Sequence, residues 1–197
     1  MNEFQIRLAR WISVIGHPFL LMPVLTGIIA YHLLPPPEAL LAEIVALGVV
    51  IVPAGLYTIR RVHKGLWSDL DVSKRHERTQ FYGILLPLLC LLAVVAWVAD
   101  VPRSIPLGSL AIIGLVAIAY LMNNWMKISL HTGFAIFVAL TLSLINPVLA
   151  TAALLLACCV AWSRVVLQRH TLREVLLGGA LGCFVGGTFV LTLRFFF

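Results

Sequence analysis

Charge is scarce in this chain. Only 11% of the 197 residues are Asp, Glu, Lys or Arg, where a soluble domain carries about a quarter. That scarcity excludes a water-soluble globule, a disordered chain and a compact nucleic-acid binder, so no nucleic-acid partner is expected. The eight acidic residues are too few and too scattered for a multi-carboxylate metal centre. Cysteine is sparse as well: Cys90, Cys158, Cys159 and Cys183 fall in apolar stretches, with no CxxC pair and no Cys/His cluster. Neither a disulfide framework nor a zinc site is indicated, and packing is the simplest role for all four. What the chain has in abundance is apolar surface, 61% of residues with a mean hydropathy of +1.04. This is the composition of a polytopic membrane protein.

A helix crossing the roughly 30 Å hydrocarbon core takes about 20 residues. The charge-poor runs predict an all-α transmembrane bundle of six or seven helices, near 11–34, 39–60, 79–99, 105–125, 131–146, 148–165 and 174–194. They form one domain over 1–197. The apolar run 128–163 is too long for one crossing, and Asn146-Pro147 near its middle predicts a turn. The first span reads as a retained helix, because an acid precedes it and no small-residue cleavage pattern follows. Trp11, Trp67, Trp125 and Phe195–Phe197 read as interface anchors.

On this topology all Lys and Arg residues except Arg103 and Arg194 fall on one face. By the positive-inside rule that face is cytoplasmic, with the N-terminus inside. Arg7, Arg10, Arg60, Arg61 and Lys64 support the assignment even when cations that could serve a site are set aside. An inner (cell) membrane location follows.

Three polar clusters share that face because two crossings separate each from the next. The first runs 67–78 and contains Lys74, Arg75 and Arg78; the second runs 127–133 and contains Ser129, Leu130 and His131; the third runs 163–174. In the third, His170 and Glu174 are i and i+4 neighbours on a helix. A carboxylate there can hold one imidazole nitrogen as N–H and leave the other as nucleophile or base. Arg164 offers a planar fork suited to phosphate oxygens. On an unbroken helix it would point about 120° away from His170, so the chain must bend near Gln168-Arg169 if both are to meet one ligand. His17, His32, His63 and His76 read as structural or solvated.

These residues resemble the signatures of the type 2 phosphatidic acid phosphatases. Ser163-Arg164, five residues, His170, three residues and Glu174 resemble S-R-x5-H-x3-D, with Glu where the family usually has Asp. Ser129 and His131 match P-S-G-H, with Ile128 and Leu130 in place of Pro and Gly. The first signature, K-x6-R-P, is not reproduced: Phe81 is seven after Lys74, and Thr79 follows Arg78. The resemblance implies a cofactor-free, metal-independent phosphohydrolase acting through a phosphohistidine. In it His170 attacks phosphorus, Glu174 orients it, and His131 protonates the leaving oxygen and later activates water. Arg164, Arg78 and either Lys74 or Arg75 cradle the phosphoryl oxygens, helped by Ser129 and the Leu130 amide. The implied substrate is an amphiphilic lipid phosphate, either a phospholipid monophosphate or an isoprenoid mono- or diphosphate, with membrane lipids around it.

Two other readings compete. Asp69 and Asp71 could hold Mg²⁺ in a membrane transferase, although restraining their loop by pairing with its arginines suits them better. A non-catalytic lipid-binding or transport relative would keep the helices and lose the chemistry.

Overall fold

In a lipid environment every backbone polar group needs an internal partner, and helices supply one locally. The computed structural model describes residues 2–196, and among these the regular structure is helical. Eight helices are present: α1 Glu3–Ile15, α2 Pro18–Leu33, α3 Pro36–His63, α4 Arg75–Val98, α5 Ser104–Met122, α6 Leu130–Leu142, α7 Pro147–Val166 and α8 Leu172–Phe196. Five of them (α3, α4, α5, α7 and α8) are long and apolar enough to cross a membrane, and α1–α2 make a sixth if the bent pair crosses as one. The protein is therefore an integral membrane protein built as an all-α bundle.

Proline placement explains several boundaries. The expected first helix is broken at Gly16-His17, with α1 and α2 bent by 45°, because Pro18 lacks an amide donor and restrains the residue before it. Within α3, the turn Leu47–Ile51 is π-helical, and the Val52 amide donates to Leu47 O. Pro53 follows, and widening the preceding turn relieves the clash of its ring with the carbonyl four residues back. Asn146 caps α7 through its side chain, accepting from Val148 and Leu149 ahead of Pro147 at the first position, which is the turn expected at Asn146-Pro147.

The chain forms two compact units, with the boundary inside α2. One unit, Thr26–Trp125, holds α3, α4 and α5. Thr26 Oγ1 donates to Glu43 Oε2 at 2.8 Å, which satisfies an acid inside an apolar helix. The other unit comprises the chain up to Leu25 and from Met126 onward. At its centre is α6, buried on nearly every side. Its 13 residues span only about 20 Å at the usual helical rise, so α6 is not the full crossing expected over 131–146.

The partner of α6 is α8, and glycine permits their approach. A Cβ at Gly178 would overlap Ser129 O, one at Gly182 would overlap Gly133 O, and one at Gly186 would lie 3.1 Å from Leu140 Cδ1. These three glycines recur every four residues on one face of α8, the small-residue spacing that brings membrane helices close. Gly187 faces open space.

The four cysteines are free and exposed on the outside of the bundle rather than packed within it. Trp11, Trp125 and Phe195 are exposed, as anchors should be; the side chain of Phe196 and the whole of Phe197 lie outside the described residues. Trp67 is different. It is only 3% exposed, its ring packs against Tyr57 and Phe81, and its Nε1–H donates to Gln80 Oε1 at 3.0 Å. With its polar edge satisfied, the indole is a core residue.

Gly182→Leu should destabilise the protein by about 1–3 kcal/mol, the usual cost of overpacking, whereas Gly187→Leu should be neutral. Thermal unfolding of the two variants in detergent checks the contrast.

Candidate active site

The turn between α7 and α8 fixes the spacing of the third cluster. Helix α7 ends in a Schellman motif: Gln168 N donates to Val165 O at 3.0 Å, and Arg169 N donates to Arg164 O at 3.0 Å. Gln168 occupies the left-handed region with φ 55°, where glycine is usual and other residues pay about 1–2 kcal/mol. The chain thus reverses at the expected place, Gln168-Arg169.

Helix α8 then starts with a capping box. Glu174 N donates to Thr171 Oγ1 at 3.3 Å, and Thr171 N donates to Glu174 Oε2 at 3.2 Å. The same Oε2 meets His170 Nδ1 at 2.9 Å. A carboxylate only accepts, so Nδ1 carries a proton, and in the neutral ring Nε2 keeps its lone pair. Glutamate suits this place because it reaches back to the cap amide and the imidazole with one oxygen.

The second cluster meets the third directly. Ser129 N donates to Glu174 O at 3.1 Å, so the start of α6 is bonded to the first turn of α8. Ser129 is fully buried and caps α6, its hydroxyl 3.1 Å from Thr132 Oγ1. Leu130 is the first residue of α6, where a backbone N–H has no partner within the helix. His131 is buried and lies within electrostatic reach of Arg164, His17 and His170. Arg164, only 1% exposed, donates from Nη1 to Ser13 Oγ at 2.7 Å. The buried His131 and Arg164 thus share one unit with the His170–Glu174 pair, His131 lying within electrostatic reach of both Arg164 and His170.

Two residues of this neighbourhood escape the sequence reading. Ser13 is an unremarkable serine in an apolar helix. His17 reads in the sequence as structural or solvated, yet its ring meets that of His131 edge-on, with centroids 4.8 Å apart. The available signal was Gly16-His17-Pro18, a helix break that leaves a histidine between two caps.

In the other unit, the first cluster is built into the start of α4. That helix begins at Arg75, four residues before the expected 79, so Arg75 and Arg78 occupy its first turns. Cations there oppose the helix dipole, which argues against a purely local stabilising role. The three candidates separate clearly. Lys74 is exposed and 3.9 Å from Glu77 Oε1. Arg75 Nε donates to Asn123 O, and Asn123 Nδ2 donates to Arg75 O at 3.2 Å, tying α4 to the end of α5. Arg78 is buried. Glu77, counted in the sequence only as a charge, is 1% exposed and accepts from Ser68 N and Ser68 Oγ, each at 2.9 Å, closing the loop onto α4. Asp69 accepts from Ser73 Oγ at 3.0 Å and Ser68 Oγ at 3.3 Å, so serine hydroxyls of its own loop restrain it.

The family comparison bears on these same elements. The model of the PAP2 superfamily matches residues 48–196, three quarters of the chain and all three clusters. The protein belongs to the PAP2 superfamily. Its fold is accordingly of the phosphatase type, and the chain is read as a phosphoester hydrolase. Neither a curated protein nor a solved structure matches it. Ser13 and His17 precede the matched segment.

The cost of the left-handed glutamine can be read out directly. Gln168→Gly should keep activity and raise stability by up to about 1 kcal/mol, while Gln168→Val should lower stability by about 1–2 kcal/mol. Thermal unfolding beside an activity assay checks both.

Proposed function

We propose that this PAP2 protein is an integral membrane lipid phosphatase, hydrolysing a phospholipid monophosphate or an isoprenoid mono- or diphosphate through a phosphohistidine, without a metal ion. The observation that carries the proposal is the 2.9 Å contact from Glu174 Oε2 to His170 Nδ1, which leaves Nε2 as the nucleophilic atom. In the first step Nε2 forms a bond to phosphorus, the bond from phosphorus to the leaving oxygen breaks, and protonated His131 gives that oxygen its proton. In the second step water attacks phosphorus, its proton passes to His131, and the phosphorus–nitrogen bond breaks to release phosphate.

Phosphoryl transfer depends on positioning and on positive charge at the equatorial oxygens. Arg164 supplies a guanidinium for this purpose, and Ser129 with the Leu130 amide assists. From the first cluster we assign Arg78, with either Lys74 or Arg75, to phosphate binding. The apolar surroundings favour an amphiphilic substrate whose tail stays in lipid. The excess of Lys and Arg on its face supports a site at the cytoplasmic side of the cell membrane.

Phosphate release from a panel of lipid phosphates tests this reading. Turnover should survive EDTA and be blocked by vanadate. His170→Ala should reduce it to background, and His131→Ala should lower it by about 10²–10⁴-fold, the usual share of a general acid–base. Glu174→Gln keeps a cap-competent acceptor but loses the charge, and should slow turnover at least about tenfold. Arg78→Ala should impair the reaction, and Lys74→Ala and Arg75→Ala, assayed separately, show which of the two joins it. Full activity of His170→Ala, or complete loss in EDTA, would refute the proposal.

A further inference from the structure

The first helix pair touches the site at two points, and both lie before residue 48, where the family match begins. The first point is Ser13. Helix α1 lies close against α7 because position 16 is glycine, where a Cβ would overlap Val160 Cγ2. Val160 is one turn before Arg164, so this approach brings Ser13 Oγ to 2.7 Å from Arg164 Nη1, with both residues buried. A guanidinium is a rigid planar fork. Holding one of its N–H groups on a fixed oxygen sets the rotation of the whole plane. Serine does this without contributing a negative charge, so it does not weaken the attraction of Arg164 for an anion.

The second point is His17. It stands immediately before Pro18, the first residue of α2, and its Nδ1 accepts from Phe19 N at 3.1 Å. The imidazole is therefore the side-chain cap of α2. The cap adds stability to the start of α2, while the ring itself packs against His131 with planes at 90° and centroids 4.8 Å apart. That edge-on arrangement is the favoured one for aromatic pairs. It restricts the rotation of the ring that must present a proton to the leaving oxygen.

We infer that the α1–α2 helix pair is part of the catalytic apparatus, with Ser13 a positioning residue for Arg164 and His17 a positioning residue for His131. The inference rests on the phosphatase reading above. It assigns function to a segment that precedes the family match, and it separates the two effects: Ser13 acts on phosphate binding and His17 on proton transfer.

The test is steady-state kinetics of the full chain in detergent with a lipid phosphate, at equal amounts of folded protein. Ser13→Ala should raise KM by about 3–10-fold with little change in kcat, the scale of one hydrogen bond, and Ser13→Thr should restore it. Ser13→Cys, close to serine in volume but a weak acceptor, should behave as alanine does and serves if alanine fails to fold. His17→Asn keeps a capping side chain and removes the ring, and should lower kcat by about 3–10-fold at little cost in KM. His17→Phe keeps the ring and removes the cap, and should retain most of kcat even if the protein is less stable. Parent-like KM in both Ser13→Ala and Ser13→Cys together with parent-like kcat in His17→Asn would overturn the inference, as would failure of Ser13→Thr and His17→Phe to restore those values. His170→Ala run alongside distinguishes the two levels. If it is inactive while the Ser13 and His17 variants match the parent, this inference alone fails; if it is active, the phosphatase reading itself fails.

Discussion

The site depends on how closely α6 and α8 approach. Two polar segments separated by 29 residues of apolar chain (134–162) become one constellation because Gly178 and Gly182 let the backbone of α8 lie against that of α6. The Ser129 N–H then bonds the Glu174 carbonyl, which joins the first turns of the two helices. A side chain at either glycine would separate the helices and, with them, His131 at the start of α6 from His170 just before α8. In a membrane, where burial of apolar surface gives little preference for helix contact over lipid contact, close backbone packing of this kind is a main source of association. The same contact that stabilises the bundle therefore sets the geometry of the candidate site.

The turn between α7 and α8 supplies the second constraint. A Schellman motif followed at once by a capping box takes the chain from Arg164 to Glu174 with its peptide groups bonded locally. The arginine lies in the last turn of one helix, and the histidine immediately precedes the cap of the next. The spacing between them is the number of residues this reversal needs. Glu174 then serves two ends, closing the cap of α8 and holding the imidazole. One oxygen makes both contacts, a geometric reason for a glutamate to stand where the resembled signature has an aspartate.

Much of this was legible in the sequence. Apolar runs and sparse charge gave the helices, Asn146-Pro147 gave a turn, and the geometry of an unbroken helix required the bend at Gln168-Arg169. What stayed hidden has physical causes. The shortness of α6 could not be read, because a buried helix and a crossing helix have the same apolar composition, and only packing on all sides distinguishes them. Trp67 looked like an anchor because sequence shows its amphipathic ring but not the Gln80 acceptor that allows it to be buried. Glu77 was hidden for the same reason, its Ser68 partner lying nine residues away. Ser13 and His17 were missed because their contacts with Arg164 and His131 are long-range, and no local pattern records them.

The central claim is that His170, held at Nδ1 by Glu174, becomes covalently bonded to phosphorus. It is tested most directly by rapid acid-free denaturation of the enzyme during turnover of a radiolabelled lipid phosphate, followed by peptide mapping. The account predicts a label that is stable to base, lost in acid and located on the peptide containing His170. Turnover with no protein-bound label under conditions that preserve a phosphoramidate, or with the label on another residue, would contradict it.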